Sequence, residues 1–118
     1  MKTAPRGIFL TSRNIDATAQ FYQDIAGLPL EQVGSESYHY WKCDDGHLQI
    51  AIHDAAIFST YTNPPLEESN LTHLYFKIDD RNAFLERLQQ SNRNPFLTDD
   101  IVITVLDPDG RKVMFGTA

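Results

Sequence analysis

The chemistry open to this 118-residue chain near neutral pH starts from its four histidines, its single cysteine and a few amide and thioether side chains. His47 and His53 sit on one strand pattern, six residues apart. At about 3.3 Å per residue that separates them by roughly 20 Å, so they cannot share a metal ion. His47 is close enough to Gln49, but it begins its strand straight after a turn, where solvent exposure is expected. His53 and His73 carry imidazoles that titrate near neutrality and could act as general bases, although nothing in the sequence supplies an orienting partner. His73 with Tyr75 reads equally as a hydrogen-bonded pair on a half-exposed sheet face and as a pair of ligand contacts. Cys43 precedes Asp44 and Asp45, whose negative charge disfavours a thiolate. No Ser-His-Asp order, glycine-rich phosphate loop or Cys-x-x-Cys pair is present. Nucleophilic catalysis therefore has little support.

The elements that must position these residues can be read from period and punctuation. Ile8 and Leu10 alternate in a first strand. Asn14 is a good N-cap, and Gly27 stands where a helix would end in the left-handed conformation. Between them Phe21, Ile25 and Leu28 mark one buried helical face. Strands follow over 28–33 and 37–43, the second rich in aromatics, with the face of Tyr38, Tyr40 and Trp41 left open. Asp44-Asp45-Gly46 is a hairpin turn, after which Leu48, Ile50 and Ile52 alternate with His47, Gln49, Ala51 and His53. Residues 54–70 show no sustained period and contain Pro64-Pro65, so a long connection is expected, whose Phe58 and Tyr61 could close over a binding site. Leu74, Phe76 and Ile78 then alternate with His73, Tyr75 and Lys77. Asp79 and Asp80 cap a helix running to about Ser91, with Phe84 and Leu88 on its buried face. Strands over 95–98 and 101–106, the turn Asp107-Pro108-Asp109-Gly110 and a strand over 111–116 complete the chain.

The order is strand, helix, three strands, connection, strand, helix, three strands. It predicts an α+β fold of two tandem βαβββ modules, a cup-shaped mixed sheet with helices on its outer face. One domain spans 1–118, with module one over about 6–53, the connection over 54–70 and module two over about 71–116. Composition narrows the function. A formal charge of -6 weighs against nucleic acid and anionic membranes as partners. No apolar run approaches the roughly 20 residues needed to cross a bilayer. The first residues lack the apolar core of a secretory leader, and a single cysteine makes no internal disulfide, so a cytoplasmic location is expected. A small molecule or another protein is the expected partner. The net charge favours a cationic ligand, though only weakly.

Four stretches carry a family resemblance: Asn14 to Tyr22 with Gly27-Leu28-Pro29-Leu30, Asp45 to Gln49, His73 to Asp80 with Ala83-Phe84-Leu85, and Asp107-Pro108-Asp109-Gly110. Through them the chain resembles the vicinal oxygen chelate superfamily, which includes glyoxalase I, bleomycin-resistance proteins and extradiol dioxygenases. The resemblance implies two βαβββ modules rolled into a cup and a homodimer. In metal-dependent members it implies ligands at positions that fall here on Gly7, Gln49, His73 and Met114. Gly7 offers no side chain, Met114 is a soft thioether poorly matched to Zn, Ni, Mn or Fe, and Gln49 is neutral where a carboxylate is expected. No metal or other cofactor is therefore expected; if a divalent metal were used, His73 and Gln49 would hold it.

Strand parity defines a candidate ligand-binding wall of Phe9, Thr11, Gln49, Ala51, His53, His73, Tyr75 and Met114, aromatic and soft apolar with a few polar groups. The leading expectation is a homodimeric protein that binds a small organic ligand in a metal-poor cup. The alternatives are a divalent-metal lyase or dioxygenase with an altered site, and an interaction or sensor module with no ligand.

Overall fold

A computed structural model describes residues 2, 4–58, 73–100 and 102–117 of the chain. Strand β1 (Gly7–Ser12) leads into helix α1 (Ile15–Asp24), strands β2 (Glu31–Gly34), β3 (His39–Asp44) and β4 (Gln49–Asp54) and the single turn α2 (Ala55–Phe58). Strand β5 (Leu74–Lys77), helix α3 (Arg81–Gln90) and strands β6 (Leu97–Thr98), β7 (Val102–Leu106) and β8 (Lys112–Gly116) follow.

The two long helices start by the same device. Asn14 is extended and its side chain accepts from the Ala17 N–H at 3.0 Å; Asp80 does the same for Ala83 at 3.0 Å. Each cap satisfies one of the donors a helix N-terminus leaves open. The exits are also alike. Gly27, at φ 71°, follows the turn that returns the Leu28 N–H to the Tyr22 carbonyl, and Asn92, at φ 53°, precedes Arg93, whose N–H returns to Leu88.

The strands form two four-stranded sheets, ordered β1-β4-β3-β2 and β5-β8-β7-β6, where the sequence predicted one curved sheet. In each, the first and last strands of the module run parallel and the rest antiparallel, so the βαβββ repeat holds at the level of topology. Register sets the faces. Leu10, Ile50 and Ile52 of the first sheet and Ile103, Val105, Val113 and Phe115 of the second are buried in one core with Phe21, Tyr22, Ile25, Phe84 and Leu88 of the helices. The Phe84 ring meets that of Phe115 at 4.4 Å between centroids. Burial of side chains this size contributes about 1.5–3 kcal/mol each, which makes this shared core the main tie between the modules.

A polar clamp adds to it. The Asp107 carboxylate, whose side chain is fully enclosed, accepts from the Tyr22 hydroxyl at 2.9 Å, Arg111 Nη1 at 2.6 Å and the N–H groups of Asp109 and Arg111 at 2.9 Å. Asp109 in turn accepts from the Arg13 N–H at 3.0 Å and the Thr18 hydroxyl at 2.9 Å, and Thr18 pairs with Ser12 at 2.8 Å. Burial works against ionisation of Asp109, but those donors and the Arg111 charge outweigh it and hold its pKa below the usual carboxylate range. The Asp107-Pro108-Asp109-Gly110 turn of module two is thus bolted to the β1–α1 junction of module one.

Several boundaries move, for local reasons. β2 starts at Glu31 and not Leu28, because Pro29 has no N–H and Leu30 bonds back to the Leu28 carbonyl. β6 shortens to Leu97–Thr98 after Pro95. The connection opens with α2, capped by Asp54, whose carboxylate accepts from the Ile57 N–H at 3.0 Å. Its continuation, with Tyr61, and the side chain of Phe58 lie outside the described residues, and so does the closing role expected of them. No helix among the described residues is long and apolar enough to cross a membrane.

Candidate functional site

Among the described residues each sheet turns one face to the shared core and the opposite, open face away from it. On the first sheet the open face is read directly from the register: Gly7 opposite Gln49, Phe9 opposite Ala51 and Thr11 opposite His53 across β1 and β4, with Lys42 opposite Ala51 and Asp44 opposite Gln49 across β3 and β4. On the second sheet Tyr75 and Thr104 flank Met114, and Leu106 lies opposite Lys112. Phe9 is 56% exposed and Tyr75 44%, so the predicted parity places both away from the core. Ala51 shares the open face but is 1% exposed, between Phe9 and Lys42.

His53 is the centre of an aromatic group. The Tyr40 ring stacks on its imidazole at 4.6 Å and 19°, the Tyr38 ring lies at 6.0 Å and 16°, and the Phe9 ring meets it edge-on at 5.5 Å. The Tyr38 hydroxyl is hydrogen-bonded to His53 Nδ1. Burial among these rings lowers the His53 pKa below the ordinary imidazole value. A neutral imidazole accepts from the Tyr38 hydroxyl at Nδ1 in one tautomer and donates to its oxygen in the other. The orienting partner missing from the sequence is therefore Tyr38, and the face of Tyr38 and Tyr40, left open by the sequence, is the site face. Trp41 takes the other side, packed against the core with its indole N–H donating to Asp16 at 3.0 Å. The alternation of Tyr40 and Lys42 with Trp41 and Cys43 was the signal that could have settled it, once Trp41 was taken as core.

The predicted residues divide between the sheets. Phe9, Gln49 and His53 share the first; Tyr75 and Met114 face each other on the second, with His73 exposed just before β5. Cys43 points toward the core, and burial raises its thiol pKa, which agrees with an unreactive cysteine. At the turn before β4, Arg6 holds the Asp44 carboxylate through two bonds of 2.6 and 3.1 Å, and these with the Gly46 N–H pull the Asp44 pKa down to about 2. Gly7 is tightly overlaid: a Cβ there would lie 3.3 Å from Cε1 of the Phe9 ring and 3.4 Å from the Gln49 carbonyl. Among the described residues no group of three or more His, Cys, Asp or Glu could hold a metal ion.

No protein-family model matches the chain, and no curated protein matches it. Solved structures do. Lactoylglutathione lyase from Agrobacterium tumefaciens superposes with a TM-score of 0.68 at 21% identity, covering 99% of this chain and 95% of that one. The trypanothione-dependent glyoxalase I of Leishmania major gives 0.71 at 11% identity, covering 98% and 87%. An integron cassette protein from the mobile metagenome of V. cholerae gives 0.70 at 18% identity, covering 99% and 97%.

Proposed function

We propose that this chain, which has the fold of glyoxalase I, uses it to bind a small organic ligand on its open sheet faces as a cytoplasmic homodimer, without metal-dependent catalysis. The observation that carries the reading is the group of Phe9, Tyr38, Tyr40 and His53 on a face that the core does not use. Rings held against one another around a hydrogen-bonded tyrosine–histidine pair present apolar area with oriented polar atoms, which is the composition of a small-molecule site.

The donor set argues against a metal. Of the four positions where metal-dependent relatives of this fold place ligands, Gly7 has no donor and its Cβ space is bounded by the Phe9 ring, and Met114 supplies only a thioether. Gln49 and His73 leave a divalent ion with one amide and one imidazole, a set that does not fit a catalytic site of fixed geometry.

The homodimer is supported by the edges. Among the described residues β1 and β5 each pair with one strand only, β4 and β8 respectively, and both are apolar over most of their length, Gly7 to Leu10 and Leu74 to Phe76. Apolar edge strands invite pairing and are normally covered.

Two measurements test the reading. Protein purified without a histidine tag and titrated with Ni²⁺, Zn²⁺ and Mn²⁺ is expected to show no stoichiometric tight site. Stoichiometric metal that disappears in His73→Ala overturns the metal-independent reading. A thermal-shift screen of small metabolites is expected to find stabilising compounds, a ligand at about 100 times its Kd adding roughly 2.7 kcal/mol. Silence across a broad screen favours an interaction module instead.

A further inference from the structure

The chain is acidic overall, and many of its acids sit on helices and turns: Asp16 and Asp24 on α1, Glu86 on α3, and Asp45, Asp107 and Asp109 in the turns before the last strand of each module. The open faces carry lysines as well, with Glu31 and Asp44 beside Lys42 on the first sheet. On the second sheet the charged residues of the open face are Lys77 and Lys112, in register with Gly116 and Leu106. On the first sheet Lys42 stands in mid-strand, beside Ala51 on β4 and Glu31 on β2. Asp44, on the same face, is already held by the two bonds from Arg6. Among the described residues Lys42 makes no salt bridge, although Glu31 lies directly across the ladder at the sheet edge.

Lys42 is half-buried as a residue, and lysines cover apolar surface with their stems while keeping the charge for water or a partner. Its surroundings define the partner. Toward β1 the row runs through Ala51 to the exposed Phe9 ring; one row further along stand Tyr40 and His53, stacked at 4.6 Å. The other neighbouring row holds Gly7, the Gln49 amide and the Asp44 carboxylate that Arg6 holds. These rows place the rings of Phe9 and Tyr40, the Lys42 ammonium and the Gln49 amide on one face.

We infer that the open face of the first sheet takes a flat aromatic carboxylate, with the Lys42 ammonium engaging the carboxylate and the Phe9 and Tyr40 rings packing on the aromatic part. This rests on the ligand-binding reading above and gives the ligand a charge opposite to the one the net charge of -6 suggested. Local field decides which ligand docks here, because exposed charges beyond a Debye length of about 8 Å are largely screened at physiological salt.

The test uses one ring with three charges: 2-naphthoate, 2-naphthamide and 2-naphthylmethylammonium, titrated into the full chain at low salt and followed by amide NMR shifts. Naphthoate is expected to move the Phe9, Tyr40 and Lys42 resonances and to bind at least about tenfold more tightly than the ammonium compound, the ratio one charge-assisted hydrogen bond supports. Lys42→Met, which keeps the aliphatic stem, is expected to erase that preference by weakening naphthoate far more than naphthamide, and Glu31→Gln to strengthen naphthoate binding. A native-like spectrum of each variant confirms its fold, and Lys42→Gln serves if the methionine variant is unfolded. Equal affinity for all three probes at this face, or tighter ammonium binding, overturns the charge assignment and leaves the ligand-binding reading standing. If none of the three moves the face, the inference fails. The ligand-binding reading then falls too only if the metabolite screen is silent.

Discussion

Replacing Tyr22 by Phe isolates one bond of the clamp that ties the two modules together. Tyr22 is 0% exposed, and its hydroxyl donates to Asp107 Oδ2 at 2.9 Å from α1 of module one to the β7–β8 turn of module two. The substitution keeps the ring, which packs edge-on against Phe21 at 5.0 Å, and removes only the hydroxyl. Asp107 retains three donors, Arg111 Nη1 and the N–H groups of Asp109 and Arg111, so no buried charge is orphaned. The loss is then one hydrogen bond to an ionised group, about 1.5–3 kcal/mol. Removing the acceptor instead, in Asp107→Ala, leaves the buried Tyr22 hydroxyl unpaired and the partly buried Arg111 guanidinium with Asp109 alone, at 3.4 Å, and costs more, about 3–5 kcal/mol. Urea unfolding at fixed protein concentration measures both, because assembly would otherwise contribute to stability. With a slope of about 1–3 kcal/mol/M, Tyr22→Phe should lower the midpoint by roughly 1 M. Trp41, the single tryptophan, reports on module one and far-UV circular dichroism on both; coincident transitions are expected, since the clamp and core make the modules one cooperative unit. A midpoint unchanged within roughly 0.2 M, or Tyr22→Phe costing as much as Asp107→Ala, would refute the reasoning.

Alkaline pH should act on the same bond. Burial, then the Asp107 charge, raises the Tyr22 pKa far above the ordinary value, so its contribution is complete below about pH 10 and is lost as pH rises further; the fall in urea midpoint above that pH should be smaller in Tyr22→Phe. The His53 pKa moves the other way, lowered by burial, so an NMR titration should place its midpoint below about 6.5, and its share of stability should be lost as pH falls through the folded value. Tyr40→Ala, which opens one side of the ring group, should move that midpoint upward toward the ordinary value; an unchanged midpoint would show that Tyr40 does not shield the imidazole. Gly34→Ala should destabilise by about 1–3 kcal/mol or prevent folding, because φ is 110° and a Cβ would lie 2.3 Å from the Tyr38 carbonyl oxygen; wild-type stability would contradict the turn geometry.

The modules were legible because their signals are local. The caps Asn14 and Asp80, the turns at Gly46 and Gly110 and the inward Ile50 and Ile52 each depend on a few neighbouring residues and match the structure, whereas Leu48, expected with them, is 37% exposed just before β4. The faces of Phe9 and Tyr75 were legible for the same reason, since a period of two residues assigns a face once one side is known to be core. Boundaries were less legible, and proline decided them: Pro29 and Pro95 shorten strands whose composition alone would extend further. The aromatic strand was ambiguous because Tyr38, Tyr40 and Trp41 are all large and apolar, and composition does not rank them for the core.

The sequence by itself determined the repeat of elements, the faces of the clean strands and the poverty of donors at Gly7 and Met114, all properties of residue type and short-range period. Tertiary structure decided the rest. It placed Tyr38 against His53, sent Trp41 to the core, and joined Tyr22 to Asp107 across 85 positions of sequence. It also placed Gln49 on β4 of the first sheet and His73 just before β5 of the second. Such pairings bring together residues whose separation along the chain has no period, and only the packing of both modules on one core selects them.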